Sequence, residues 1–116
     1  MSCRMSRRVF AAMLGPGLAF FLMPQVSLAA EDHISEAIMH TKQAIDQGKM
    51  GHADALTTHA EAALTHAKAA EKEKANTHTA EGIKHLEQAI DEGKKGRAGA
   101  GTTHAEAALT HLEQAK

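Results

Sequence analysis

The stretch Thr57-Thr58-His59-Ala60-Glu61-Ala62-Ala63-Leu64-Thr65-His66 recurs without a single change from Thr102 to His111. The likeness extends outward from it. Residues 33–66 align with 78–111 without a gap, 23 of the 34 pairs being identical, so the chain carries an internal duplication with a period of 45 residues. The two histidines of the stretch lie seven residues apart, nearly two helical turns, which puts them on one side of a helix. Its alanines continue a stripe, Leu56, Ala60, Ala63 and Ala67, at the spacing of a helix with one apolar face.

Each copy reads as a helical hairpin. In the first, one helix is expected over about Asp32–Gln47, with Ile34, Ile38, Thr41 and Ile45 as its inner stripe, and a second over about His52–Lys72. Gly48-Lys49-Met50-Gly51 separates them, Gly48 being read as the stop. Glu71 to Asn76 connects the copies, with Asn76 or Thr77 as N-cap. A third helix is expected over Thr77–Glu92, carrying Ile83, Leu86 and Ile90, and Gly93-Lys94-Lys95-Gly96 repeats the turn. Gly99 and Gly101 weaken the start of the fourth, which is expected near Thr102 and runs to Ala115. Four short helices on short loops predict an all-α fold, an up-down-up-down antiparallel four-helix bundle made of two duplicated hairpins. Its core would be alanine, isoleucine and leucine, small side chains that bury little area.

The first 29 residues read as an export signal. Arg4, Arg7 and Arg8 give a basic start, Val9–Met23 an apolar run broken by Gly15-Pro16-Gly17, and Ser27-Leu28-Ala29 a small-x-small cleavage site, with a cut after Ala30 as the alternative. Ser6-Arg7-Arg8-Val9-Phe10 also resembles a twin-arginine signal, although Ala11 and Ala12 depart from that pattern, so the general secretory route is equally open. Both routes imply a periplasmic protein. Residues 30–116 then form one small histidine-rich domain, with no membrane association once the signal is removed. All three phenylalanines and Cys3 lie in the signal. The remaining 87 residues therefore hold no thiol, which excludes disulfides, zinc–thiolate sites and c-type haem attachment. They carry 10 basic and 14 acidic residues, a net charge of −4 without a basic cluster, which argues against nucleic acid as a partner.

All nine histidines also fall in this part: His33, His40, His52, His59, His66, His78, His85, His104 and His111. Four of the five in the first copy recur in the second, and Arg97 replaces the fifth, His52. Residues at equal height in a hairpin have numbers of constant sum. His40 with His59 and His33 with His66 both sum to 99; His85 with His104 and His78 with His111 both sum to 189. Two histidine layers about 10.5 Å apart are therefore expected. The histidines sit roughly 80–100° from the centre of each apolar stripe, flanking the core. Their shared rotational sense makes them face each other across alternate grooves, either 1/2 with 3/4 or 2/3 with 4/1.

Imidazole is the commonest metal ligand, and packed helices lie close enough for two rings to share one ion. Glu36, between His33 and His40, and Glu81, between His78 and His85, share the histidine face. Each is a further ligand, an orienting partner or an ordinary surface acid. Imidazole and carboxylate without thiolate suit Cu(II), Ni(II) and Zn(II), copper most tightly; Met39 and Met50 are too few for a Cu(I) thioether site. A chain beginning at Glu31 would add an amino-terminal Cu(II) or Ni(II) site, with His33 in third position. No nucleophile–base pair or phosphate loop stands out, so a binding protein is expected rather than an enzyme. The competing reading is a structural or pH-responsive helical module whose histidines charge near pH 6.

The repeated hairpin, Thr65-His66-Ala67-Lys68-Ala69-Ala70 and Gly82-Ile83-Lys84-His85-Leu86-Glu87 resemble the small metal-binding protein family over essentially all of residues 30–116. That resemblance implies an exported, histidine-rich four-helix bundle, a periplasmic monomer that sequesters several divalent ions with copper preferred. It carries over to the nine histidines. Arg97 departs from the histidine expected at the second turn, and histidines are fewer near the C-terminus, which implies a lower capacity.

Overall fold

A computed structural model describes residues 25–116. They form four helices, Gln25–Lys49 (α1), Ala53–Glu73 (α2), Thr77–Lys94 (α3) and Ala98–Ala115 (α4), and no strand. Helices consecutive in the chain pack on each other, and α1 closes the bundle against α4. The up-down-up-down bundle of two hairpins is thus the observed fold. Residues 1–24 of the expected export signal lie outside the described residues. Its last part, from Gln25 through Ala29 and Ala30, is helical and continuous with α1, so that helix begins seven residues before the expected Asp32. No residue between Gln25 and Asp32 breaks a helix, and Ala30 is already buried.

The turns end one glycine later than the sequence suggests. Gly48 and Gly93 remain helical and buried. Gly51 and Gly96 take the left-handed conformation, with φ of 82° and 77°. In the first turn Gly51 N–H donates to the Gly48 carbonyl at 3.0 Å and His52 N–H to that of Gln47 at 3.0 Å. Gly96 and Arg97 repeat these bonds onto Gly93 and Glu92. This paired closure satisfies the last carbonyls of a helix, and a residue without Cβ adopts it without strain. Between the hairpins, Asn76 is the N-cap. Its Oδ1 accepts from His78 N–H at 2.8 Å and Thr79 N–H at 3.4 Å, while Glu71 accepts from Asn76 N–H at 3.0 Å. Replacing Asn76 with alanine should cost about 1 kcal/mol, read as a lowering of Tm by about 5 °C in thermal unfolding followed by circular dichroism.

The two copies differ where the core needs them to differ. Leu56, Leu86 and Leu112 are the largest fully buried side chains, and their counterparts one period away are Gly101, Thr41 and Ala67. Leu56 crosses the bundle from α2 into a socket of three glycines, Gly48 of α1, Gly93 of α3 and Gly101 of α4. A Cβ at Gly101 would lie 3.1 Å from both Leu56 methyl carbons, and one at Gly48 would overlap the Thr102 hydroxyl and lie 2.6 Å from Leu56 Cδ1. Leu112 fills the space over Gly82 in the same way, with 3.0 Å between its Cδ2 and a Cβ there. Leu56 of the first copy thus meets Gly93 and Gly101 of the second, while Leu112 and Gly82 both belong to the second; each time a large side chain faces a small one, which keeps total volume right. Gly101 therefore belongs inside α4, which starts at Ala98 rather than near Thr102: packing around Leu56 outweighs the roughly 1 kcal/mol that glycine costs a helix. Threonine joins the apolar core at Thr41, Thr79 and Thr102. The Thr41 and Thr102 hydroxyls donate to the carbonyls of Ala37 and Ala98 at 2.7 and 2.8 Å, so neither is left unpaired.

Ion pairs mark the two grooves between hairpins. Lys42–Glu113 (3.6 Å) and Lys49–Glu106 (3.4 Å) bridge α1 to α4; Lys68–Glu87 (3.2 Å) and Lys94–Glu61 (3.4 Å) bridge α2 to α3. Among the described residues, every ion pair that joins two helices lies in these grooves. Lys49–Glu106 and Lys94–Glu61 are copies of each other, whereas Lys42–Glu113 returns with its charges exchanged as Glu87–Lys68. None of the described helices is long and apolar enough to cross a membrane.

Candidate metal centre

The other two grooves hold the histidines. Of the two arrangements the sequence left open, the bundle adopts α1/α2 with α3/α4. The equal-height pairs meet as expected, with ring centroids 5.4 Å apart for His33 and His66, 6.2 Å for His40 and His59, 5.9 Å for His78 and His111, and 6.0 Å for His85 and His104. The four-histidine layers do not close across the bundle. Each is split into two pairs on opposite edges, with ion pairs in the grooves between.

Each groove also contains a diagonal contact that equal heights do not predict. His40 and His66 stack at 5.7 Å with ring planes 8° apart, and His85 and His111 at 5.5 Å and 10°. Side chains lean toward the N-terminus of their own helix. His40 on α1 leans away from the turn, and His66 on the antiparallel α2 leans toward it, so the two converge. His33 and His59 lean apart to the ends of the row. The outcome in each hairpin is a continuous ladder of four imidazoles, His33–His66–His40–His59 and His78–His111–His85–His104. Most of these rings are half-buried; His78 is exposed.

Several contacts fit shared coordination. Nδ1 of His33 and Nδ1 of His66 are 3.1 Å apart. Ligand bonds of about 2.0 Å place two nitrogens on one ion roughly 2.9–3.4 Å apart, so this pair is already at chelating distance. Without an ion, one ring must carry the proton and donate it to the other. Glu36, His40 and His66 each bring a ligand atom within 4.8 Å of the others, close enough for small side-chain rotations to gather them around one ion. His66 belongs to both groups and is the hub of the first ladder. In the second ladder, Nδ1 of His85 and Nδ1 of His111 are buried without a hydrogen-bond partner among the described residues. A buried unpaired ring nitrogen costs roughly 1–3 kcal/mol, which an ion could offset by taking up the lone pair.

The remaining candidates behave differently. Glu81 is held by Lys84, whose ammonium donates to it at 3.1 Å. That hydrogen bond, and then the ammonium's charge, hold its carboxyl below the usual carboxylate range; Lys95 does the same to Asp91. His52 stands outside the ladder, exposed at the turn and bonded to Gln47 Oε1 at 3.0 Å. In the second copy His52 becomes Arg97 and Gln47 becomes Glu92, and the hydrogen bond becomes an ion pair of 3.4 Å. The sequence reading missed Gln47 and also Gln43, whose Oε1 meets His40 Nδ1 at 3.1 Å. Gln43 stands three residues after His40 on the same helical face, a spacing that could have flagged it as an orienting partner.

A comparison with curated proteins finds no match to the chain. The family model described as small metal-binding protein matches residues 9–115, nearly all of it. The chain, with its two histidine ladders and its Glu36–His40–His66 cluster, belongs to the small metal-binding protein family.

Proposed function

We propose that this chain is an exported binding protein, not an enzyme, that buffers divalent transition metals in the periplasm, Cu(II) in preference to Ni(II) and Zn(II). The observation that carries the reading is the gathering of eight imidazoles, all but the exposed His78 half-buried, into two ladders, one with an apposed Nδ1 pair and an adjacent carboxylate. Such ligands favour copper among these ions. Export rests on the basic and apolar N-terminal segment and its small-residue cleavage site.

Calorimetric titration at neutral pH tests the metal. Cu(II) should bind at several sites of micromolar or tighter affinity, and a hundredfold excess over Kd should stabilise the fold by about 2.7 kcal/mol per site. Rings this close would also repel when protonated, which favours a second reading as an acid-loosened module. No binding heat together with a melting temperature that falls only with pH would select that reading. Mass spectrometry of the exported chain gives the start residue and the bound metals in one measurement. A start at Glu31 adds the amino-terminal site at His33.

A further inference from the structure

The two ladders have nearly the same ring geometry at their centres but not the same donors. In the first, the carboxylate of Glu36 stands with His40 and His66. Met39 lies beside them in sequence, half-exposed and uncharged. In the second, the residue one period after Met39 is Lys84, and its ammonium binds the carboxylate of Glu81, the counterpart of Glu36. No corresponding group of Glu81, His85 and His111 forms among the described residues, while Nδ1 of His85 and of His111 stand buried and unpartnered.

From these contacts we infer that the central sites are unequal. His40, His66 and Glu36 form a two-nitrogen, one-oxygen site that fills first, and His85 with His111 forms an imidazole-only site that Lys84 weakens by withholding Glu81. The inference rests on the metal-buffer reading and deepens it. An anionic oxygen both donates to a divalent ion and offsets its charge, whereas a lysine beside the second site takes up that oxygen and adds repulsion. Two sites of different affinity give one small protein a wider buffering range than two equal sites would.

Substoichiometric Cu(II), added to the chain and followed through paramagnetic broadening of the histidine ring signals, reads the two centres separately. The His40 and His66 signals should vanish at a copper dose that leaves those of His85 and His111 visible. Lys84→Met, which installs the first copy's residue, should tighten the second centre about tenfold, so that both sets broaden together. Glu81→Gln should change little alone but should cancel the gain in the double variant with Lys84→Met. Glu36→Gln should abolish the lead of the first centre. Lys84, Glu81 and Glu36 all lie outside the core, and helical circular dichroism confirms that each variant folds. Simultaneous broadening in the unaltered chain, no response to Lys84→Met, or a gain that survives Glu81→Gln would each overturn the inference while leaving metal binding intact. Absence of broadening at every histidine would instead overturn the metal reading itself.

Discussion

Leu56→Ala should lower the stability of the bundle by about 3–5 kcal/mol, because the cavity it leaves is walled by glycines and cannot collapse onto flexible side chains. Leu56 is fully buried and reaches α1, α3 and α4 at one point. A domain of this size is stabilised by roughly 5–13 kcal/mol in all, so the loss is a large share of the total, and Tm should fall by about 15 °C or more. Thermal and urea unfolding of the metal-free chain measure it. Leu64→Ala, at a half-buried position beside the same core, should cost clearly less. Equal losses at the two positions would mean that the glycine socket does not close around Leu56 as described.

The second large effect is expected at the hub of the first ladder. His66→Ala removes the ring that meets both His33 and His40 and breaks the group with Glu36. It should weaken Cu(II) binding in that hairpin by at least about tenfold and should change stoichiometry more than His59→Ala, which removes only the ring at the end of the row. Lys49→Ala, remote from both ladders, should leave binding unchanged. Calorimetry with each variant decides the order, and equal effects of His66 and His59 would contradict a ladder with a central pair. Acid should weaken metal binding, since protonated imidazole cannot bind. Depressed carboxylates do not account for that loss. Glu81 and Asp91 titrate below their ordinary range, so what they contribute is present above the unfolded carboxylate pKa of about 4 and is lost only as pH falls further, through the folded values.

The duplication, the helix count and the pairing of histidines by height were all legible in the sequence, because they follow from spacing and turn position alone. The groove was not. A shared rotational sense around each helix allows either set of alternate grooves, and the choice depends on how the hairpins pack. The diagonal stacking of His40 on His66 escaped a reading by height because it comes from the tilt of side chains along their helix. Glycine misleads the reading twice for one reason. Gly48 reads as a stop and Gly101 as a weak point, yet a glycine at a close approach and a glycine at a turn look alike in one dimension. Only the Leu56 methyl groups, brought by another helix, distinguish Gly48 and Gly101 from Gly51. Glu36 and Glu81 looked equivalent, and the Met39-to-Lys84 difference beside them became meaningful once the Lys84 ammonium was seen on Glu81.

The exchanged charges of the inter-hairpin grooves bear on how molecules of this protein meet. Were the first hairpin of one molecule to dock on the first hairpin of another, Lys42 would confront Lys68; two second hairpins would set Glu87 against Glu113. At the level of Leu56 the interiors would fare no better, with leucine against leucine in one case and glycine against glycine in the other. Each half is thus fitted to its sister rather than to its twin, which disfavours the pairing of like halves between crowded molecules.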